Sequence, residues 1–210
     1  MSAACHDHHE PVFIGDNPAF RRALWAVIAI NGVMFVIELI AGLSAGSMAL
    51  QADALDFFGD CATYGLSLFV LTKPPSWRAN AALFKGATLA VLGLWVLSAT
   101  LWRVFVTGVP EAMIMGSVGL LALAANVTCV LILMRFRNGD ANVRSVWLCS
   151  RNDAIGNIAV VMAASGVVAT GSAWPDLAVA AIMAGLFLTS SVKIIKQALG
   201  ERGALVAAGE

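Results

Sequence analysis

Charge is what this 210-residue chain has least of: 13 basic and 13 acidic residues make up 12% of it, against roughly 25% in a typical soluble domain. That scarcity excludes an ordinary water-soluble globule. The two signs balance to a formal net charge of zero, so nothing in the overall charge argues for a nucleic-acid partner. Cysteine is also sparse. Cys5, Cys61, Cys129 and Cys149 are scattered, three of them in apolar runs, which gives no disulfide framework and fits reduced thiols in lipid. A Gly-rich phosphate loop is missing, as is a run of arginines beside the acids of the apolar segments, which argues against an enzyme of phosphoryl or prenyl transfer. The opening MSAACHDHHEPVFIGDNP lacks a basic patch followed by an apolar core. It is expected to be no cleavable signal and to stay on the cytoplasmic side. No internal repeat stands out.

What is present is hydrophobic residue, 60% of the chain, with a mean hydropathy of +0.83. Six apolar segments emerge, Ala23 to Leu43, Met48 to Thr72, Ala81 to Val106, Ala112 to Met134, Val146 to Ala169 and Leu177 to Ala198. Each reaches the roughly 20 residues that a membrane-spanning helix needs. Between them lie the connectors 44–47, 73–78, 107–111, 135–145 and 170–176, rich in Gly, Pro or charge. Backbone polar groups in hydrocarbon must be satisfied within the segment, so the segments are expected to be helices. Ten bases, Arg21, Arg22, Lys73, Arg78, Arg135, Arg137, Arg144, Lys193, Lys196 and Arg202, fall on one side and Arg103 alone on the other. Lys85 and Arg151 lie inside helices three and five. The expected fold is an all-α integral membrane protein of six transmembrane helices with both termini cytoplasmic. Residues 1–20 are expected to be a cytoplasmic His/Cys-containing tail, 21–199 the six-helix transmembrane domain and 200–210 a short cytoplasmic tail, with no folded domain expected after the last helix.

Acids inside the second segment organise the rest. Asp56 and Asp60 stand four apart in Gln51-Ala-Asp-Ala-Leu-Asp-Phe-Phe-Gly-Asp60, so on a helix both carboxylates leave one face, a turn apart. Each costs roughly 2.5 to 3.5 kcal/mol in hydrocarbon and needs a partner, a proton or a cation. In the fifth segment Cys149 and Asp153 repeat the spacing, with Asn157 one turn further. Two antiparallel helices each offering two ligands a turn apart can surround one point. A set of carboxylates and a thiolate suits a tetrahedral divalent ion such as zinc or cadmium rather than magnesium, calcium or sodium.

Blander readings stand beside this one. A single membrane Asp serves as a cap or a packing hydrogen bond, and Cys149 alone reads as a small buried hydrophobe. From spacing, the paired motif points to metal or proton coordination without deciding between them. Asp53 fits either an N-cap of helix two or an exit path. Glu38, Asn31 and Asn126 are candidate supporting or relay groups, the two amides reading first as interhelical hydrogen bonds. In the tail, Cys5, His6, His8 and His9 cluster without fixed spacing, and gathering metal or dispensable disorder fits equally.

These residues carry a resemblance. Asn31-Gly-Val-Met-Phe-Val-Ile-Glu38, Gly42, Ser47, Ala49-Leu50, Ala52-Asp-Ala54 and the Asp56/Asp60 pair resemble the first two helices of the cation diffusion facilitator family. Asp153-Ala-Ile-Gly-Asn157 matches its fifth-helix pattern and Trp174-Pro-Asp-Leu177 the start of its sixth, so the likeness runs from about Asn31 to Leu199. It implies a carrier that exchanges zinc or related divalent metals for protons. It also implies a bacterial inner membrane location and, more weakly, a homodimer. Two departures are visible. Cys149 stands where the family usually has His, which shifts the expected preference toward cadmium or another thiophilic ion. The family's metallochaperone-like cytoplasmic domain is not among these residues, and whatever it contributes in relatives is expected to be dispensed with here or done by the helices.

The expected mechanism follows from competition. Two aspartates a turn apart in low dielectric cannot both stay ionised without a counter-charge, so the empty site is expected to hold at least one proton. Metal ligands must be deprotonated, so metal and proton exclude each other, and alternating access then lets an inward proton gradient drive metal out. Asp56, Asp60, Cys149 and Asp153 are the expected ligands, and the metal is cargo; no cofactor or nucleic acid is expected. A membrane-embedded metal-dependent enzyme, a passive cation channel and a non-transporting sensor remain the other classes.

Overall fold

Asn17 starts the first helix, its Oδ1 accepting from the Ala19 N–H at 2.8 Å, and Pro18 follows where its missing N–H costs nothing. The computed structural model describes residues 17–70, 75–106, 108–137 and 141–208; side chains at 67, 70, 75, 76, 78, 79, 141–149, 201 and 204–208 are outside the description. Six helices follow in order: α1 Pro18–Ala45, α2 Met48–Val70, α3 Pro75–Phe105, α4 Ala112–Met134, α5 Ala141–Thr170 and α6 Trp174–Ala208. Among the described residues there is no strand. Stretches long and apolar enough to cross a membrane lie in α1, α3, α4, α5 and α6, while α2 carries Asp53, Asp56 and Asp60 within its 23 residues.

The helices outrun the apolar segments. α3 begins at Pro75, inside the expected 73–78 connector, and α5 at Ala141, inside the expected 135–145 connector. α6 runs to Ala208, so the described part of the expected 200–210 tail is helix, as are residues 18–20 of the expected leading tail. Hydropathy marks the part of a helix that meets lipid, whereas caps and proline set where it stops.

Large apolar side chains face outward on all six helices, including Trp25, Phe69, Phe84, Leu120, Met162 and Ile182. Such a surface suits hydrocarbon rather than water. Inside, Leu50, Val96, Met115, Val160 and Phe187 belong to one buried cluster joining the helices. A second, where α1 begins and α4 ends, holds Phe20, Leu24, Tyr64, Leu133 and Phe136, with the Phe20 and Phe136 rings edge to face at 5.3 Å.

Packing divides the helices into two groups. α1 packs on α2 and α4, and α4 on α5; α3 packs most extensively on α6, and α2 touches α3, α5 and α6. At the α1–α2 turn the ends are tied together. Gly46, at φ 65°, closes α1 in the left-handed region that glycine reaches without strain. Ser47 Oγ accepts from the Leu50 N–H at 3.1 Å and donates to Asp176 Oδ1 at 2.6 Å. The same Asp176 carboxylate accepts from the N–H groups of Met48 at 2.8 Å and Ala49 at 3.0 Å. Arg103 donates to the Gly46 carbonyl, and the Glu111 N–H donates to the Ala45 carbonyl at 2.9 Å.

Candidate functional site

Asp56 and Asp60 occupy successive turns of α2, the latter twelve residues past Met48. At 1.5 Å per residue that is about 18 Å from the turn end, close to midway through a hydrocarbon layer of about 30 Å. Asp153 of α5 lies within hydrogen-bonding reach of both carboxyl groups. Asp56 and Asp60 of α2 thus lie beside Asp153 of α5. Cys149 lies one helical turn before Asp153, but its side chain is outside the described residues, as are Cys5, His6, His8 and His9.

The three aspartates border a cavity of about 560 Å³ that also touches Thr63, Lys85 and Asn152. Carboxyl groups facing one another around such a space present oxygen donors and negative potential to a cation. Among the described residues no group of three or more His, Cys, Asp or Glu side chains is arranged to hold a metal ion. The Tyr64 hydroxyl reaches Asp60 and lies 3.5 Å from Ser150 Oγ, bracing α2 against α5. Lys85 of α3 lines the cavity, and its charge acts on Asp60.

Two readings change. Asp53 does not cap α2: it sits on the second turn, 1% exposed, because Ser47 and the distant Asp176 already serve the helix start. It faces Glu38 of α1 instead. Asn31 makes no interhelical hydrogen bond; both polar atoms of its amide are buried without a partner, and the same holds for Asn157, one turn beyond Asp153. Asn126 is buried in α4. The sequence reading missed Lys85, Tyr64 and the capping role of Asp176. Lys85 carried a signal, a lone base inside an apolar helix, but not a direction.

Comparison with known proteins bears on the arrangement. A family model described as the cation efflux transmembrane domain matches residues 24–201. The human proton-coupled zinc antiporter SLC30A8 is 28% identical over 184 residues, covering 76% of this chain and 50% of that protein. The metal cation efflux system protein CzcD of Cupriavidus metallidurans is 24% identical over 208 residues, 93% of this chain and 64% of the relative. Zinc transporter ZitB of Escherichia coli is 26% identical over 212 residues, 95% and 67% respectively. The chain thus spans about half to two thirds of the length of these relatives.

Proposed function

Because the chain belongs to the cation efflux, or cation diffusion facilitator, family, we propose that it is a carrier that moves zinc- or cadmium-like divalent ions across the membrane in exchange for protons. The observation that carries this reading is the reach of Asp153 to both Asp56 and Asp60 at the wall of a mid-span cavity. Asp56, Asp60 and Asp153 supply the carboxylate ligands and Cys149, a turn from Asp153, the fourth donor. Carboxylates and a thiolate bind a divalent ion only when deprotonated, so each ion that enters displaces protons. Lys85, whose charge acts on Asp60, offers a tethered positive charge to the empty site. The relatives support the same class: one is named a proton-coupled zinc antiporter and another a cadmium, cobalt and zinc/H(+)-K(+) antiporter.

Direction and orientation belong to the same proposal. By the alternation of the spans along the sequence, ten lysines and arginines fall on one side against one on the other; that side faces the cytoplasm, and an inward proton gradient then makes transport export. Reconstitution into sealed vesicles tests the whole reading. Zinc or cadmium flux rises with an imposed pH difference in the wild type and is lost in Asp153→Ala. Wild-type flux from that variant removes the site assignment. Flux indifferent to the pH difference indicates a channel, and turnover of a substrate in detergent without a sealed compartment indicates an enzyme.

A further inference from the structure

α1 and α2 run antiparallel, and two contacts fix their register. Gln51 Nε2 donates to the Gly42 carbonyl at 3.3 Å, where a Cβ on Gly42 would stand 3.0 Å from both Gln51 Cγ and Gln51 N. Further along, Cys61 Sγ donates to the Ile28 carbonyl at 3.4 Å. A register held by these two points sets Glu38 of α1 opposite Asp53 of α2, and the carboxyl groups lie within hydrogen-bonding reach of each other.

Both are sealed from solvent, Glu38 at 0% and Asp53 at 1% exposure. No N–H or hydroxyl group of the described residues donates to either Glu38 oxygen or to Asp53 Oδ2. The other charged group acting on the pair is Asp56, one turn along and of the same sign. α4, packed against α1, contains no charged residue. From the remaining helices, the charge of Lys85 falls on Asp60, Asp153 reaches Asp56 and Asp60, Asp176 serves the start of α2 and Arg103 the Gly46 carbonyl. Neither Glu38 nor Asp53 borders the cavity at Asp56. Two carboxylates side by side in a dry, low-dielectric interior repel each other with nothing to offset it, whereas a carboxyl donating to a carboxylate satisfies both.

We propose that Glu38 and Asp53 form a second ion site, distinct from the metal ligands, whose ligand is one proton shared between the two carboxyl groups. This rests on the carrier reading. When a divalent cation occupies the Asp56 site its positive charge stabilises the fully ionised pair; the O–H bond breaks, both electrons stay on the carboxylate and the proton passes to water. The pair adds one proton to the exchange and lies on the turn-end side of the metal site.

The test uses the full chain in detergent without pH buffer, with tetramethylammonium as the only other cation, titrated with zinc chloride. Protons released per zinc bound are counted, and zinc affinity is measured against pH. Glu38→Gln and Asp53→Asn each release about one proton fewer than the wild type, and their affinity changes about tenfold less per pH unit. An unchanged proton count in both variants overturns the proposal. So does loss of zinc binding in both, which makes the pair part of the metal site or of the packing. A wild type that binds no zinc removes the carrier reading itself and this inference with it.

Discussion

Two sets of acids sit in the same helix bundle and are treated in opposite ways. Asp176 at the turn end accepts from one hydroxyl and two backbone N–H groups. Asp56, Asp60 and Asp153, about midway through, face mainly one another. Asp176 is 1% exposed and the other three are half-buried at the cavity wall, so each carboxyl loses hydration that something must offset, and the sets differ in what does so. A carboxylate given its donors by the fold holds helices together. A carboxylate given other carboxylates is kept for a ligand from outside.

The comparison can be broken from either side. The largest effect is expected at the metal site: Asp56→Ala lowers zinc affinity on the order of a hundredfold or more, measured by calorimetry, with helix content and melting unchanged. Asp176→Ala should do the reverse, lowering the stability of the detergent-solubilised protein by about 3 kcal/mol through donors left unpaired at the start of α2, while zinc affinity per folded molecule stays as it was. If Asp176→Ala abolished zinc binding without melting the bundle, the division between architecture and site would be wrong. Cys149→His is expected to raise the zinc-to-cadmium affinity ratio on the order of tenfold, histidine nitrogen being the harder donor; an unchanged ratio removes the thiol from the ligand set. Smallest is Ser47→Ala, about 1 kcal/mol of stability for a lost cap with no change in metal selectivity.

The same contrast explains what could be read without a structure. Asp56/Asp60 and the position of Asp153 were legible because a four-residue spacing is a local property, and the antiparallel order of the spans carried the rest. The six helices themselves were visible as apolar runs, five of them long and apolar enough to cross a membrane. Their ends were not: α3 starting at Pro75 and α6 running to Ala208 depend on caps and solvent beyond the lipid-facing stretch. Asp53 misled because helix starts favour Asp, whereas the acid that caps α2 comes from 128 residues beyond Met48, a tertiary partner without a local trace. The pairing of Glu38 with Asp53 likewise needed the register set where Gly42 lets Gln51 approach.

The bonds made by Asp176 also fix where the bundle can bend. This side chain belongs to α6, and α3 packs along α6, yet its donors belong to the first residues of α2. A tilt of α3 and α6 together that spares those bonds must turn about the membrane face where they lie. Swinging a 20-residue helix, about 30 Å long, by about ten degrees around that point moves its far end by about 5 Å and its near end hardly at all. Such a tilt would have its fulcrum at one surface and its stroke at the other.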